Sequence, residues 1–199
     1  FSPLSLVRLG LLSALMASLP VLHAEPAPTP TKATEVAPVK VGAMAPAATL
    51  TKPDGSAFDL AKAYADKPTV LVFYRGGWCP YCVKHLQELG QTEAKLRHLG
   101  FQVLAISPDS PATQAATIAK ADAPPTYTML SDSEMKLAHA FGLAFRVDDE
   151  TYTKYQGYKI DLEKASGQKH HELPVPAVFL VDATGKIVFA HSNPDYRVR

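Results

Sequence analysis

The feature that most constrains the fold is a buried strand followed at once by a cysteine pair at the start of a helix. Thr69–Tyr74 (TVLVFY) is a continuous β-branched and aromatic run, which is typical of a strand buried on both faces. Gly76 and Gly77 end this run. Cys79 and Pro80 then open a stretch with apolar residues at helical spacing, and proline is favoured in a first helical turn. This arrangement predicts a βα unit in an α/β fold.

The remaining elements alternate in the same way along the chain. We predict a hairpin at 47–60, a short helix at 61–65, the strand at 69–74, a helix at 79–100, a strand at 101–107, a helix at 111–121, a strand at 127–130, a helix at 131–141 and a second hairpin at 177–191. This order predicts a central mixed sheet flanked by helices, with the first hairpin as an N-terminal extension. A closing helix is expected after the last strand, so we expect the chain to be truncated there.

The first 46 residues have a different character from the rest. In residues 1–24 one basic residue, Arg8, precedes an apolar run and a final small residue, which predicts a signal peptide. The run is short for a membrane span and contains Pro20. We therefore expect export to the periplasm or the medium, with a membrane anchor only if this segment is uncleaved. Residues 25–46, rich in Pro and Ala, predict a flexible or extended linker and not a folded element, and residues 47–199 predict a single domain.

Charge and cysteine content narrow the function. The formal net charge is +1 and no long basic run occurs, so nothing points to nucleic acid. The only two cysteines, Cys79 and Cys82, would close a four-residue ring. The chain-entropy model gives such a ring only about 2 kcal/mol before strain is subtracted. Because strained disulfides are the labile ones, a redox role is favoured over a structural one.

The position of the two cysteines predicts distinct roles. Cys79 at a helix N-terminus lies beside unpaired N–H groups and the positive end of the helix dipole, which favour the reactive thiolate. Arg75 would add positive charge. Cys82, one turn further on, faces the apolar stripe and is expected to be more buried than an exposed, attacking Cys79. A C-x-x-C pair in a βαβ context is typical of thiol–disulfide oxidoreductases.

A metal site is the alternative from another class. Cys79, Cys82 and His85 are spaced at i, i+3 and i+6, and two thiolates with an imidazole suit zinc or copper. A structural zinc site needs a fourth ligand, and no second C-x-x-C motif exists. His139 and His170–His171 are available, but the sequence does not place them. We therefore predict no metal and no cofactor, and keep a copper- or zinc-binding module as the alternative.

The segment 144–174 shows little periodicity and carries three tyrosines. A long connection in a compact domain is often functional. Two interpretations stay open from the sequence: a segment that lies over the active site or binds a partner, and a solvated insertion.

Three stretches carry a resemblance to a known family. They are FYRGGWCPYCVKHLQEL at 73–89, LSDSEMKLAHAFGL at 130–143 and PVPAVFLVDATGKIVFAHSNPDYRVR at 174–199. They resemble the alkyl hydroperoxide reductase/thiol-specific antioxidant superfamily, and more narrowly its bacterial peroxiredoxin-like branch. The resemblance implies a thioredoxin-like fold, thiol-dependent antioxidant activity, small hydroperoxides as substrates, and a thiol reductant or disulfide-bearing protein as partner.

The sequence departs from this family at the motif itself. Peroxiredoxins carry Pro-x-x-x-Thr/Ser-x-x-Cys here, so their Pro falls on Arg75, their Thr on Cys79 and their peroxide-reacting Cys on Cys82. Their peroxide-binding Arg before the late strand falls on Pro176. Thioredoxins have a proline there, usually cis, and we expect a cis Val175–Pro176 bond.

Two mechanisms follow, and they assign different attacking sulfurs. In thiol–disulfide exchange Cys79 attacks and Cys82 resolves. In peroxide reduction Cys82 forms the sulfenic acid and Cys79 closes the disulfide. The departures favour exchange as the main activity, with peroxide reduction beside it. The residues expected to support the cysteines are Arg75, Trp78, Pro80, Tyr81 and Pro176.

Overall fold

The main body of the protein is a seven-stranded sheet with helices on both faces. The structure is a computed structural model and describes residues 28–121 and 123–198. The strands are β1 (Thr49–Thr51), β2 (Ala57–Asp59), β3 (Thr69–Phe73), β4 (Gln102–Ser107), β5 (Thr128–Ser131), β6 (Ala144–Arg146), β7 (Glu172–Pro174), β8 (Ala177–Val181) and β9 (Ile187–Ser192). The large sheet has the order β2-β1-β5-β4-β3-β8-β9, and β6 pairs with β7 separately.

Six α-helices connect these strands. They are α1 (Leu60–Asp66), α2 (Pro80–His98), α3 (Pro111–Ala119), α4 (Lys136–Ala140), α5 (Asp149–Gly157) and α6 (Leu162–Ser166). β3, β4 and β5 are parallel to one another, whereas β8 runs antiparallel to both of its neighbours, β3 and β9. The predicted α/β fold, with its mixed sheet and N-terminal hairpin extension, is confirmed.

β3 is the centre of the molecule, and all five of its residues are buried. Successive side chains of a strand point to opposite faces. Leu71 and Phe73 accordingly belong to the larger core, together with Phe179. Val70 and Val72 belong to a second cluster on the other face. Burial on both faces accounts for the uninterrupted apolar run by which the strand is recognised in the sequence.

The pairing of β3 with β4 sets the place of the functional loops. The two strands are parallel, with Phe73 beside Ile106 at their carboxyl ends. The loop after β3 leads to Cys79, and the loop after β4 contains Asp109. Because parallel neighbours end at the same edge of a sheet, these two loops lie side by side.

α2 agrees closely with its prediction. Cys79 is its N-cap residue and Pro80 its first residue. Gly100, with φ of 87°, adopts the left-handed conformation just beyond the helix end, which a residue with a side chain rarely adopts. The helix therefore begins at the proline that predicted its start. The glycine that predicted its end follows directly after the C-cap residue, Leu99.

α4 is shorter than expected, because it begins at Lys136 and not at residue 131. The Asp132 carboxylate accepts the N–H groups of Leu137 and Ala138 at 3.1 and 2.8 Å. Met135 has a left-handed φ of 59°, which breaks helical geometry immediately before this turn. The spacing of apolar residues in the sequence gives no sign of this break, so the helix was predicted to start too early.

Residues 144–174 are an ordered unit containing β6, α5, α6 and β7. Val147, Leu162 and Leu173 form its small apolar cluster, against which Trp78 packs. The segment therefore lies over the cysteine motif, as the first of the two interpretations predicts. It is not a solvated insertion.

The described part of the predicted linker, residues 28–46, has little regular secondary structure and packs along the domain. Val36 and Val39 pack against the main core, and the Val39 N–H donates to the Phe141 carbonyl at 3.0 Å. Gly42 and Ala45 bond to the β8–β9 turn region. Proline suppresses regular helix and sheet here, but the extended chain still finds backbone partners along the domain surface. From about residue 30 onward this segment belongs to the fold.

The two ends of the chain carry the predicted signal peptide and the segment that follows β9. The signal peptide predicted at 1–24 lies outside the described residues, so export stays a prediction. Where the chain is described, no helix combines the length and apolar character needed to cross a membrane. After β9 the segment with Tyr196 returns to the cysteine motif, and the described part contains no closing helix.

Candidate active site

The two cysteine sulfurs lie together at the N-terminus of α2. Cys79 and Cys82 are both thiols, and their Sγ atoms are 2.7 Å apart. A small movement would bring them to the covalent S–S distance of about 2.05 Å. The spacing therefore suits a pair that opens and closes a disulfide.

Both cysteines are buried, which corrects the expectation of an exposed Cys79. The exposed fraction is 1% for Cys79 and 0% for Cys82. They lie in an apolar cluster with Tyr74 and Leu86, and Trp78 packs against that cluster. The sequence places Cys79 at a helix end, but it does not show that the neighbouring loops cover this end.

The loop before the cysteines depends on two glycines in close contact with their surroundings. Gly76 has φ of 148°, and a Cβ on it would meet the Trp78 indole and lie 2.8 Å from Asp109 Oδ1. A Cβ on Gly77 would lie 2.7 Å from Thr117 Oγ1. The turn is thus compatible with glycine alone, and it directs the chain into α2.

Arg75 is buried among aromatic rings. Its guanidinium carbon lies 4.0 Å from the ring centroid of Tyr196, 5.1 Å from that of Trp78 and 5.5 Å from that of Tyr155. Its Nη2 donates a hydrogen bond to the Tyr155 hydroxyl. Its Nε is buried, and no group in the described part of the chain accepts a hydrogen bond from it. Such ring contacts stabilise a cation in a site from which water is largely excluded.

Tyr155 connects the segment 144–174 to the cysteines. Burial raises the pKa of its hydroxyl, the charge and hydrogen bond of Arg75 oppose that rise, and Tyr196 and Cys79 add to it. Its ring lies 5.8 Å from that of Trp78. The sequence marks Tyr155 only as one of three tyrosines in a segment that could lie over the active site. It gives no sign of a role for Tyr196, because both residues lie far from the motif in the chain.

Asp109 is the buried carboxyl group of the site. Its Oδ2 accepts the Gly77 N–H at 2.7 Å, whereas its Oδ1 is buried and has no hydrogen-bond partner among the residues that the structure describes. Burial raises the pKa of Asp109 to about 6, with a small further rise from Cys79 and opposing contributions from Gly77 and Ser107. No sequence motif singles out Asp109, although its position two residues after a predicted buried strand is a signal.

The other predicted site residues divide into two groups. Pro80 and Tyr81 are exposed, and the Tyr81 ring lies 5.8 Å from that of Tyr196 at the rim of the site. Pro176 is buried directly before β8, and its carbonyl accepts the Asn193 N–H at 3.3 Å. The Val175–Pro176 bond is trans, so the predicted cis bond is wrong. A trans bond continues the extended path from β7 into β8.

The metal alternative gains no support from the geometry. Among residues 28–121 and 123–198, no three His, Cys, Asp or Glu side chains are grouped so as to hold a metal ion. Cys79, Cys82 and His85 are close in sequence, but they do not converge on one point.

Comparison with known proteins identifies the family. The AhpC/TSA family model matches residues 41–190. The chain belongs to the AhpC/TSA family. The resemblance carried by the cysteine motif and the two later stretches is thereby confirmed.

Curated relatives of this AhpC/TSA protein include two chloroplastic peroxiredoxin Q proteins. That of Suaeda salsa is 35% identical over 112 residues, which cover 56% of this chain and 51% of the relative. That of Populus jackii is 31% identical over 118 residues, which cover 59% and 54%. The matched part thus spans about half the length of these relatives.

Solved structures confirm the thioredoxin-like fold. Peroxidoxin BcpB from Mycobacterium tuberculosis superposes with a TM-score of 0.60 at 21% identity, covering 77% of this chain and 85% of that one. PrxQ from Xylella fastidiosa gives 0.61 at 19% identity, covering 80% and 87%. At these identities the likeness concerns the fold alone.

Proposed function

We propose that this AhpC/TSA protein is a thiol-dependent hydroperoxide reductase that cycles Cys79 and Cys82 between dithiol and disulfide. The burial of both cysteines carries the proposal. A folded protein disulfide is too large to reach a sulfur in such a site, whereas hydrogen peroxide or a small alkyl hydroperoxide is not. The peroxiredoxin relatives support the same class of reaction.

The proposed cycle has three balanced steps. Cys82 attacks the peroxide, taking one oxygen as a sulfenic acid and releasing an alcohol or water. Cys79 then attacks the Cys82 sulfur, and the disulfide forms as water leaves. A thiol reductant finally returns both thiols and becomes oxidised itself. Cys82 has the first role because the peroxide-reacting cysteine of the family motif falls on it.

In peroxiredoxins a Thr or Ser and an Arg activate the peroxide, and in this chain Cys79 and Pro176 stand at those two positions. We infer that Arg75 contributes in their place. Its guanidinium is a buried positive charge directly before the Gly76–Gly77 turn, and its Nε retains an unused donor. A buried cation in the loop that leads to the two cysteines would favour the thiolate over the thiol and stabilise the negative charge that develops on the departing oxygen.

This proposal reverses the preference for exchange that the sequence alone supports. That preference assumed an exposed Cys79 as the attacking sulfur. With Cys79 only 1% exposed, exchange with a large disulfide would require the rim around Tyr81 and Tyr196 to open first. We therefore assign exchange chemistry to the reducing half of the cycle.

A rate comparison tests the proposed substrate class. Trp78 is the only tryptophan and packs against the cysteine cluster, so its fluorescence reports the redox state of the pair. Reduced protein is mixed rapidly with hydrogen peroxide, and separately with oxidised glutathione at the same concentration. We expect the peroxide reaction to be at least roughly tenfold faster, because only the smaller oxidant reaches a buried thiolate. Faster reaction with glutathione disulfide would contradict the proposal.

A further inference from the structure

A buried carboxyl group at the active site has no role in the cycle so far. Asp109 is 1% exposed and lies between β4 and α3, next to the loop that carries Cys79. Its Oδ2 is fixed by the Gly77 N–H, and its Oδ1 lies against Gly76, whose carbonyl accepts the Cys79 N–H at 3.2 Å. The carboxyl group is thus held against the Gly76–Gly77 turn that leads to the resolving cysteine, and its Oδ1 has no hydrogen-bond partner among the described residues.

An unused buried carboxylate oxygen needs an explanation. Leaving such an acceptor unsatisfied costs free energy, on the order of 1–3 kcal/mol or more for a charged group. The Ser107 hydroxyl oxygen nearby accepts bonds from the Asp109 N–H and from the Gln114 amide. The Ser107 hydroxyl also lowers the pKa of the Asp109 carboxyl group, but Oδ1 makes no hydrogen bond of normal geometry with any described residue. Oδ1 is thus available as a proton acceptor in a site from which water is largely excluded.

Asp132 shows what a purely structural carboxyl group looks like in the same fold. It follows β5, at the same edge of the sheet, and is also buried. Burial raises its pKa to about 6, as it does for Asp109. Both oxygens of Asp132, however, accept N–H groups of α4. The two residues differ in one respect that matters here, the unused oxygen.

We propose that Asp109 accepts the proton of the Cys79 thiol when the disulfide forms, and passes it to the departing hydroxyl group. The proposal rests on the proposed function and deepens it. In this step the Cys79 S–H bond and the Cys82 S–O bond break, while the S–S bond and one O–H bond of water form. Asp109 is ionised before and after the step, so protons and electrons balance.

Other titratable groups face Asp109 and contribute to any pH profile. Tyr74 and Cys79 interact with it electrostatically. His170, His171 and Glu172 line a small cavity with it, beside Trp78. Replacing Asp109 with asparagine also removes its electrostatic effect on Tyr74 and Cys79. Because the negative charges of Asp109 and a Cys79 thiolate repel each other, loss of that charge alone would favour attack by Cys79, so a slower variant reports the lost proton acceptor.

The test compares Asp109→Asn with Asp132→Asn. Asparagine keeps an oxygen for the Gly77 N–H but accepts no proton, so the loop should hold its shape. Disulfide formation is followed by Trp78 fluorescence from pH 5 to 10, at concentrations of oxidant where the rate no longer depends on that concentration. At pH 7 we expect D109N to form the disulfide roughly 100-fold more slowly than wild type, as for loss of a general base. D132N should stay within about threefold of wild type.

The pH profile separates proton transfer from a structural effect. Hydroxide takes the thiol proton directly at high pH, so the deficit of D109N should shrink above about pH 9. A deficit of the same size at every pH would mean that Asp109 only positions the loop and would overturn the proposal. So would a D109N rate at pH 7 equal to that of D132N.

Two oxidants are used, so that the results can contradict the proposed function and the role of Asp109 independently. Each protein is oxidised with hydrogen peroxide and, in a second series, with diamide, which drives dithiol oxidation without peroxide. If wild type reacts with diamide but not with peroxide, the peroxidase proposal fails while the diamide series still decides the role of Asp109.

Discussion

Replacing either cysteine with serine should abolish peroxide turnover, and the two variants should stop at different species. In Cys79→Ser the remaining Cys82 still attacks peroxide, so a sulfenic acid accumulates on Cys82. In Cys82→Ser the attacking sulfur is gone, and Cys79 should stay a thiol. We expect steady-state rates with a thiol reductant to fall by roughly 1,000-fold or more in both variants, as for removal of a nucleophile.

The measurement combines turnover with mass spectrometry of protein trapped by a sulfenic-acid reagent. Glu88→Gln is a suitable control, because Glu88 is exposed on α2. It should keep wild-type turnover. Full activity in both cysteine variants would exclude the cysteine-based cycle. A sulfenic acid on Cys79 in Cys82→Ser, with none on Cys82 in Cys79→Ser, would reverse the assigned roles.

Replacing Gly76 with alanine should destabilise the fold and disturb the site together. The new Cβ would displace the Trp78 indole and lie 2.8 Å from Asp109 Oδ1, on a backbone with φ of 148°. Overpacking and backbone strain of this kind together cost about 2–4 kcal/mol. We expect a lower free energy of unfolding in urea, a changed Trp78 emission in the native state, and slower disulfide formation.

The control variant Gly55→Ala measures the effect of backbone strain without steric crowding of the new Cβ. Gly55 has φ of 85° in the β1–β2 turn, and a Cβ there would have nothing within 4 Å. That variant should lose only about 1 kcal/mol, from the left-handed conformation alone. If G76A is no less stable than G55A and Trp78 emission is unchanged, the close packing described around Gly76 is wrong.

Elements whose signals are local in the sequence were predicted well. β3 is marked by its continuous apolar run, and α2 by Pro80 at its start and Gly100 at its end. Ser110 caps α3 as expected, accepting the Thr113 N–H at 3.2 Å. These features depend on neighbouring residues alone, so a sequence pattern contains the necessary information.

Features that depend on distant contacts were missed or mispredicted. The burial of Cys79, the ring contacts of Arg75 with Tyr155 and Tyr196, and the unused oxygen of Asp109 all arise where separate segments meet. The packing of residues 30–46 along the domain has the same origin. The expectation of a cis bond at Pro176 came from a resemblance to thioredoxins, and the trans path from β7 to β8 does not share that feature.

The proposed disulfide cycle is tested by oxidising the reduced protein with one equivalent of hydrogen peroxide and mapping the product by peptide mass spectrometry without reduction. We expect the loss of both thiols and a peptide in which Cys79 and Cys82 are linked by an intramolecular disulfide. A dithiol reductant should restore both thiols. If both thiols persist after peroxide has been added, or if oxidation stops at one cysteine in the wild-type protein, the proposed disulfide cycle is wrong.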